Sequence, residues 1–171
     1  MDFSRRFTFL FCAPGYDDDE LEGVWLTRII KEVEKLGFQL ARARKFDDAE
    51  IAIRADAAIG CIVIDWGKKG MEGKAAALIA YVRRRGLQTP VVLVMRRTRL
   101  ENIPVEVLNE IDGYVFVAEE TPEFIAKNLA SRIKQYAEMQ KTPFFGELVD
   151  YNDEGNQLWR GGPGKSDRML S

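Results

Sequence analysis

Ile59-Gly60-Cys61-Ile62-Val63-Ile64 has no charged or hydroxyl side chain and runs directly into Asp65-Trp66. A run that is apolar at every position, rather than at alternate ones, must be covered on both faces. That is the mark of an interior strand in a parallel sheet. Pro90-Val91-Val92-Leu93-Val94-Met95 has the same character. Two strands buried on both sides restrict the chain to a layered architecture with helices above and below one sheet.

The rest of the sequence supplies those layers. Phe7 to Cys12 reads as a first strand ended by Ala13-Pro14-Gly15. Acids at 17–20 then precede a helical pattern, where they favour the positive end of the helix dipole. Leu21, Val24, Trp25, Ile29, Val33 and Leu36 recur at threes and fours, and Gly37 stops the helix. Phe38 to Ala43 is a second strand, and Asp47 or Asp48 caps a helix through Ala55 on which Ala49, Ile51, Ala52 and Ile53 are apolar. After the central strand and a Gly-Lys loop at 67–70, a helix from Glu72 to Arg85 turns Ala76, Ile79, Ala80 and Val82 inward and ends at Gly86. Pro104 opens a short helix through Ile111, and Gly113 to Val117 is the fifth strand. Thr121 caps a last helix with Pro122 in its first position and a buried stripe of Phe124, Ile125, Leu129, Ile133 and Tyr136. This alternation predicts a flavodoxin-like (receiver-like) α/β domain, a parallel sheet of order 2-1-3-4-5 with helices on both faces. Its site edge lies at the carboxyl ends of the strands.

The domain is expected to cover 1–140. Residues 141–171 read as a linker: 144–151 can form a short amphipathic helix, and the glycine-rich stretch from Gly155 has no further periodicity and is expected to be flexible. With a formal charge of −2 the chain lacks the basic balance of a general nucleic-acid binder. No apolar run approaches the roughly 18 residues needed to span a bilayer, and no cleavage site follows the basic amino terminus. A cytoplasmic protein is expected, with neither nucleic acid nor membrane as partner. Cys12 and Cys61 lie inside apolar strands and read as reduced core thiols. Two cysteines without a single histidine cannot form a common structural zinc site. The missing histidine also excludes Ser-His and Cys-His catalysis within the chain.

Asp65, at the end of the third strand, invites comparison with phospho-acceptor receiver domains. That chemistry needs neighbouring carboxylates for a divalent cation and a base to neutralise the phosphoryl group. Asp17, Asp18 and Asp19 come several residues after the first strand, the fifth strand is followed by Ala118-Glu119-Glu120 with no lysine, and Thr98 lies past two arginines. A structural Asp65 bonding loop amides is the alternative. Gly73-Lys74-Ala75 and Gly164-Lys165-Ser166 mimic phosphate loops, but the first lacks the leading glycine (Lys68 is there) and the hydroxyl residue, and the second has Trp159 in the first glycine position and no strand-to-helix context. Arg96, Arg97 and Arg99 cluster after the fourth strand, where an anionic effector or a neighbouring subunit's acids can sit; the alternative is a solvated loop. Arg83-Arg84-Arg85 reads as a solvated helix end. Trp25 is expected in the core, whereas Trp66, entering a loop, is the better interface anchor.

Ile64-Asp65-Trp66 and Glu119-Glu120-Thr121-Pro122-Glu123-Phe124-Ile125-Ala126 resemble the amino-terminal "wing" domain of the bacterial pyridoxal-phosphate-dependent arginine, lysine and ornithine decarboxylases. So do Thr142-Pro143-Phe144-Phe145, Leu148 to Tyr151, and Trp159 to Gly164 in the tail, with the arginine branch the nearest in character. The resemblance covers nearly the whole sequence to Gly164. It implies a parent that decarboxylates a basic amino acid under acid stress, with pyridoxal phosphate in a separate domain. In that family Pro-Gly is followed by His-x-Gly-Gly, where this chain reads Lys165 to Ser171. It is expected to be a truncated member, carrying no catalytic, cofactor-binding or metal-binding residue and inactive alone. A homo-oligomer formed through the wing is what the resemblance implies for partners. The family's regulation by a guanosine tetraphosphate alarmone is assigned to no residue here.

Overall fold

The computed structural model describes residues 7–13, 21–67, 70–95 and 100–141, with backbone alone for 21–23 and 141. The chain divides into two units, 1–136 and 137–171. The first holds the sheet; the described part of the second is the final stretch of the last helix.

Five strands form one parallel sheet of order β2-β1-β3-β4-β5. These are β1 (Thr8–Cys12), β2 (Gln39–Ala43), β3 (Ile59–Trp66), β4 (Val91–Met95) and β5 (Gly113–Phe116). Helices α1 (Leu21–Lys35), α2 (Phe46–Ala55), α3 (Glu72–Arg84), α4 (Val105–Leu108) and α5 (Pro122–Lys141) provide the crossovers, with a 3-10 turn at Leu100–Asn102. Every residue of β1, β3 and β4 is buried, as two-sided covering requires. The expected fold class and strand order are therefore both observed.

One face of the sheet presents Leu10, Ile62, Ile64 and Leu93 to α2, α3 and α4, which return Ile53, Leu78, Ile79 and Val107. The other face carries Phe9, Phe11 and Cys61; Phe9 meets Phe38 edge-on at 5.1 Å. Leu26, Ile29 and Val33 of α1, with Ile125, Leu129 and Ile133 of α5, are buried outside the first cluster and cover this second face. Between Thr8 and Phe9 the β1–β3 register slips by one residue at Gly60. A Cβ on Gly60 would stand 2.7 Å from that of Phe7 and 2.9 Å from Ile133 Cγ1, so only glycine fits where α5 crosses the strand.

Several boundaries and faces differ from expectation. No side-chain bond caps α2: it starts at Phe46 after Lys45, and Asp47 and Asp48 lie inside its first turn. The inward face of α3 is Ala75, Leu78, Ile79 and Val82; of the expected set Ile79 and Val82 are buried, while Ala76 and Ala80 are half-buried on its flank. Val24 of α1, Leu36 just past its end, Ile51 of α2 and Phe124 of α5 are exposed; the three helical ones sit on the shoulder or far side of a stripe that their neighbours already fill. Tyr136 is half-buried, its ring edge-on to Phe7 at 5.5 Å. As expected, Thr121 Oγ1 accepts the Phe124 N–H at 3.1 Å, and Gly37 and Gly86, both at positive φ, follow α1 and α3.

Candidate functional site at the carboxyl edge of the sheet

In a doubly wound sheet the carboxyl ends of the strands face the loops that bind and react. The described residues there are Cys12 and Ala13 after β1, Asp65 and Trp66 closing β3, Met95 closing β4 and Val117 after β5, whose N–H bonds the Met95 carbonyl at 2.9 Å. Asp65 is the one ionisable oxygen donor in this row. It pairs in register with Val94 and is 5% exposed, a carboxylate held inside the sheet layer. Neither a second carboxylate nor a hydroxyl or a lysine stands at the described strand ends beside it. The described residues at this edge therefore lack the means to chelate a hard cation or neutralise a phosphoryl group. Among the described residues no group of three or more metal-ligating side chains converges.

Trp66 corrects an expectation. It is the last residue of β3 rather than a loop residue, pairs with Met95, and is 2% exposed within the core beside α3. The strand runs two residues beyond the apolar run because β4 continues alongside it, and this draws the indole inward. Arg96, Arg97 and Arg99 lie outside the described residues, as do Asp17 to Asp19, Thr98 and the triplet at 164–166. Gly73-Lys74 sits in the exposed first turn of α3. Cys12 and Cys61 are fully buried free thiols. Burial pushes both up in pKa; at Cys61 the negative charge of Asp112 adds to the effect and Arg132 opposes it. Inert core thiols are the consequence.

At the opposite, amino-terminal edge, Arg83 is a structural hub rather than a solvated helix end. Its Nε donates to the Glu110 carbonyl at 2.9 Å, one terminal nitrogen donates to the carbonyls of Leu87 and Thr89 at 3.0 Å each, and the other meets Asp112 Oδ2 at 2.9 Å. The same Asp112 oxygen accepts the Val91 N–H at 2.8 Å, and the Asp112 carbonyl accepts from Arg132 at 2.7 Å. One guanidinium thus ties the end of α3 to the starts of β4 and β5.

The sequence from 21 to 136 matches the family model described as Orn/Lys/Arg decarboxylase, N-terminal domain. The chain belongs to this family. Lysine decarboxylase LdcA of Pseudomonas aeruginosa is 24% identical over 161 residues, 90% of this chain and 21% of that protein. The biodegradative arginine decarboxylase of Escherichia coli is 22% identical over 144 residues, 82% of this chain and 19% of its own length. The chain thus spans about a fifth of the length of these curated relatives. In fold it superposes on the solved Pseudomonas aeruginosa lysine decarboxylase A with a TM-score of 0.68 at 22% identity, over 77% of this chain and 19% of that one. It also superposes on a Francisella response-regulator receiver domain with a TM-score of 0.57 at 22% identity, over 75% and 97%. The receiver likeness is one of fold, and the described strand-end residues do not extend it to chemistry. No helix among the described residues is long and apolar enough to cross a membrane.

Proposed function

We propose that this chain is the wing of a basic-amino-acid decarboxylase, an assembly domain that performs none of the chemistry itself. The family match over 21–136 carries the reading. The domain occupies 1–140, with 141–171 leading toward the cofactor-bearing part of the parent. When bound, pyridoxal phosphate supplies the electron sink for decarboxylation. It must be held by a lysine whose amine is desolvated in a closed pocket. Every lysine with a described side chain, among them Lys31, Lys74, Lys127 and Lys134, is exposed, so the group does not fit these residues. The parent removes CO2 from arginine, lysine or ornithine in the cytoplasm; this domain contributes contacts between copies, with Arg96, Arg97 and Arg99 as the candidate contacts for an anionic effector.

The test is a chimera. Replacing the amino-terminal domain of the Pseudomonas aeruginosa lysine decarboxylase with residues 1–141 should give an enzyme that assembles like its parent, whereas deleting the domain should shrink the assembly. A chimera no larger than the deletion product would overturn the assembly role. An amine product from the isolated chain with added pyridoxal phosphate would overturn the non-catalytic reading.

A further inference from the structure

The cover over one face of the sheet runs out at β5. Leu93 and Met95 of β4 are fully buried on that face, within the first core cluster. Tyr114 and Phe116 of β5 pair with them in register and so point to the same side. Yet Tyr114 is 43% exposed and Phe116 only half-buried. The cause is the length of α4. Its four residues rise only about 6 Å, against about 16 Å for a five-residue strand. By contrast α3, with 13 residues, is long enough to span the strands beneath it.

The segment 100–116 therefore buries its apolar groups incompletely. Ile103, Val107 and Val115 are buried, but Leu100, Leu108 and Ile111 are half-covered and Val105 is 66% exposed. The rings of Tyr114 and Phe116 meet edge-on at 5.6 Å, one apolar surface beside the short helix. Apolar surface gathered in this way marks a place where another chain packs. Its surround is acidic: 100–116 holds Glu101, Glu106, Glu110 and Asp112 and no base. Asp112 is matched by Arg83 at 2.9 Å. Glu101, Glu106 and Glu110 are exposed, and no ion pair among the described residues engages them.

Charge and shape together select the occupant. An apolar stripe bounded by positive charge complements this surface. The opening lies on the face of the sheet, where α4 stops short, and not along its rim, so a helix fits it and an added strand does not. We infer that the α4–β5 surface docks a basic amphipathic helix of another protein. Its apolar stripe lies against Val105 and Tyr114, and its lysines or arginines lie beside Glu106 and Glu110. This goes beyond the wing reading and stands without it.

A fluorescent synthetic peptide of leucine and lysine at helical spacing, about four turns long, is the probe, read by anisotropy on the full chain. Its dissociation constant should be roughly 100 µM or tighter at roughly 0.1 M salt. Glu106→Lys with Glu110→Lys should weaken binding at least about tenfold, as should Val105→Ser with Tyr114→Ser. Asp47→Lys with Asp48→Lys makes the same charge change on exposed acids of α2, on the other side of α3, and should weaken it less than about twofold. Where Tyr114→Ser disturbs folding by circular dichroism, Val105→Ser alone takes its place, with at least about threefold weakening expected. No binding, binding that the α4–β5 variants leave intact, or equal weakening by the α2 variant overturns the inference. So does self-association in sedimentation velocity that Val105→Ser abolishes, since a second copy then occupies the surface.

Discussion

Replacing Arg83 by alanine should lower stability by about 2–3 kcal/mol. Two of its bonds, to the carbonyls of Leu87 and Thr89, are part-buried, and Thr89 itself is a buried residue. At about 1 kcal/mol each, net of solvent exchange, they contribute most of the loss. The Asp112 pair has its aspartate side chain 40% exposed, and it adds only a few tenths, as do other solvated ion pairs. At about 3–4 °C per kcal/mol for a domain of this size, the melting temperature should fall by roughly 8–10 °C. Urea melts should show an earlier midpoint with an unchanged slope, since the folded state loses a tie rather than its compactness. Arg84, exposed in the next position, is the control: its alanine variant should move stability by less than about 0.5 kcal/mol. An Arg83 variant that melts with the Arg84 control would refute the hub.

Three other outcomes follow from the packing. Gly60→Ala should destabilise by about 1–3 kcal/mol, because its methyl group has nowhere to go between Phe7 and Ile133; an unchanged melt would mean that α5 sits further from the strand. Thr121→Ala should cost about 1 kcal/mol through the lost cap on α5, and Thr121→Ser should recover most of it, both by thermal melt. Cys12 and Cys61 should resist a thiol reagent in the native protein and react on unfolding. Because burial raises both folded pKa values, the unfolded state loses these protons first as pH rises past the ordinary thiol value. Stability from this source is complete below about pH 8.5 and falls above it, by up to about 1.4 kcal/mol per pH unit for each thiol. The double variant Cys12→Ala, Cys61→Ala should flatten that alkaline slope.

Fold class and strand order were legible because the runs 59–64 and 90–95 are apolar at every position, a pattern that a covered parallel strand accommodates. Helix faces were less legible. Val24, Leu36, Ile51 and Phe124 fall at apolar spacings, yet a helix buries only part of its circumference, and spacing alone does not say which shoulder turns outward. Trp66 was misplaced because its burial depends on how far β4 runs beside it, a fact held by another segment. Arg83 was misread for the same reason, since it acts on groups up to 29 residues away in sequence. That the described strand ends carry one carboxylate and no partner chemistry was partly visible in the missing histidine and in the absence of a lysine after β5.

Phe7 and Tyr136, near the beginning and near the end of the described fold, touch ring to ring. A backbone that returns to where it started can be cut elsewhere and rejoined there by a short bridge. A circular permutant opened in an exposed turn, at Gly86 for instance, keeps every strand neighbour it had. The same closeness lets the whole module be spliced into a surface loop of an unrelated protein without prising that host apart.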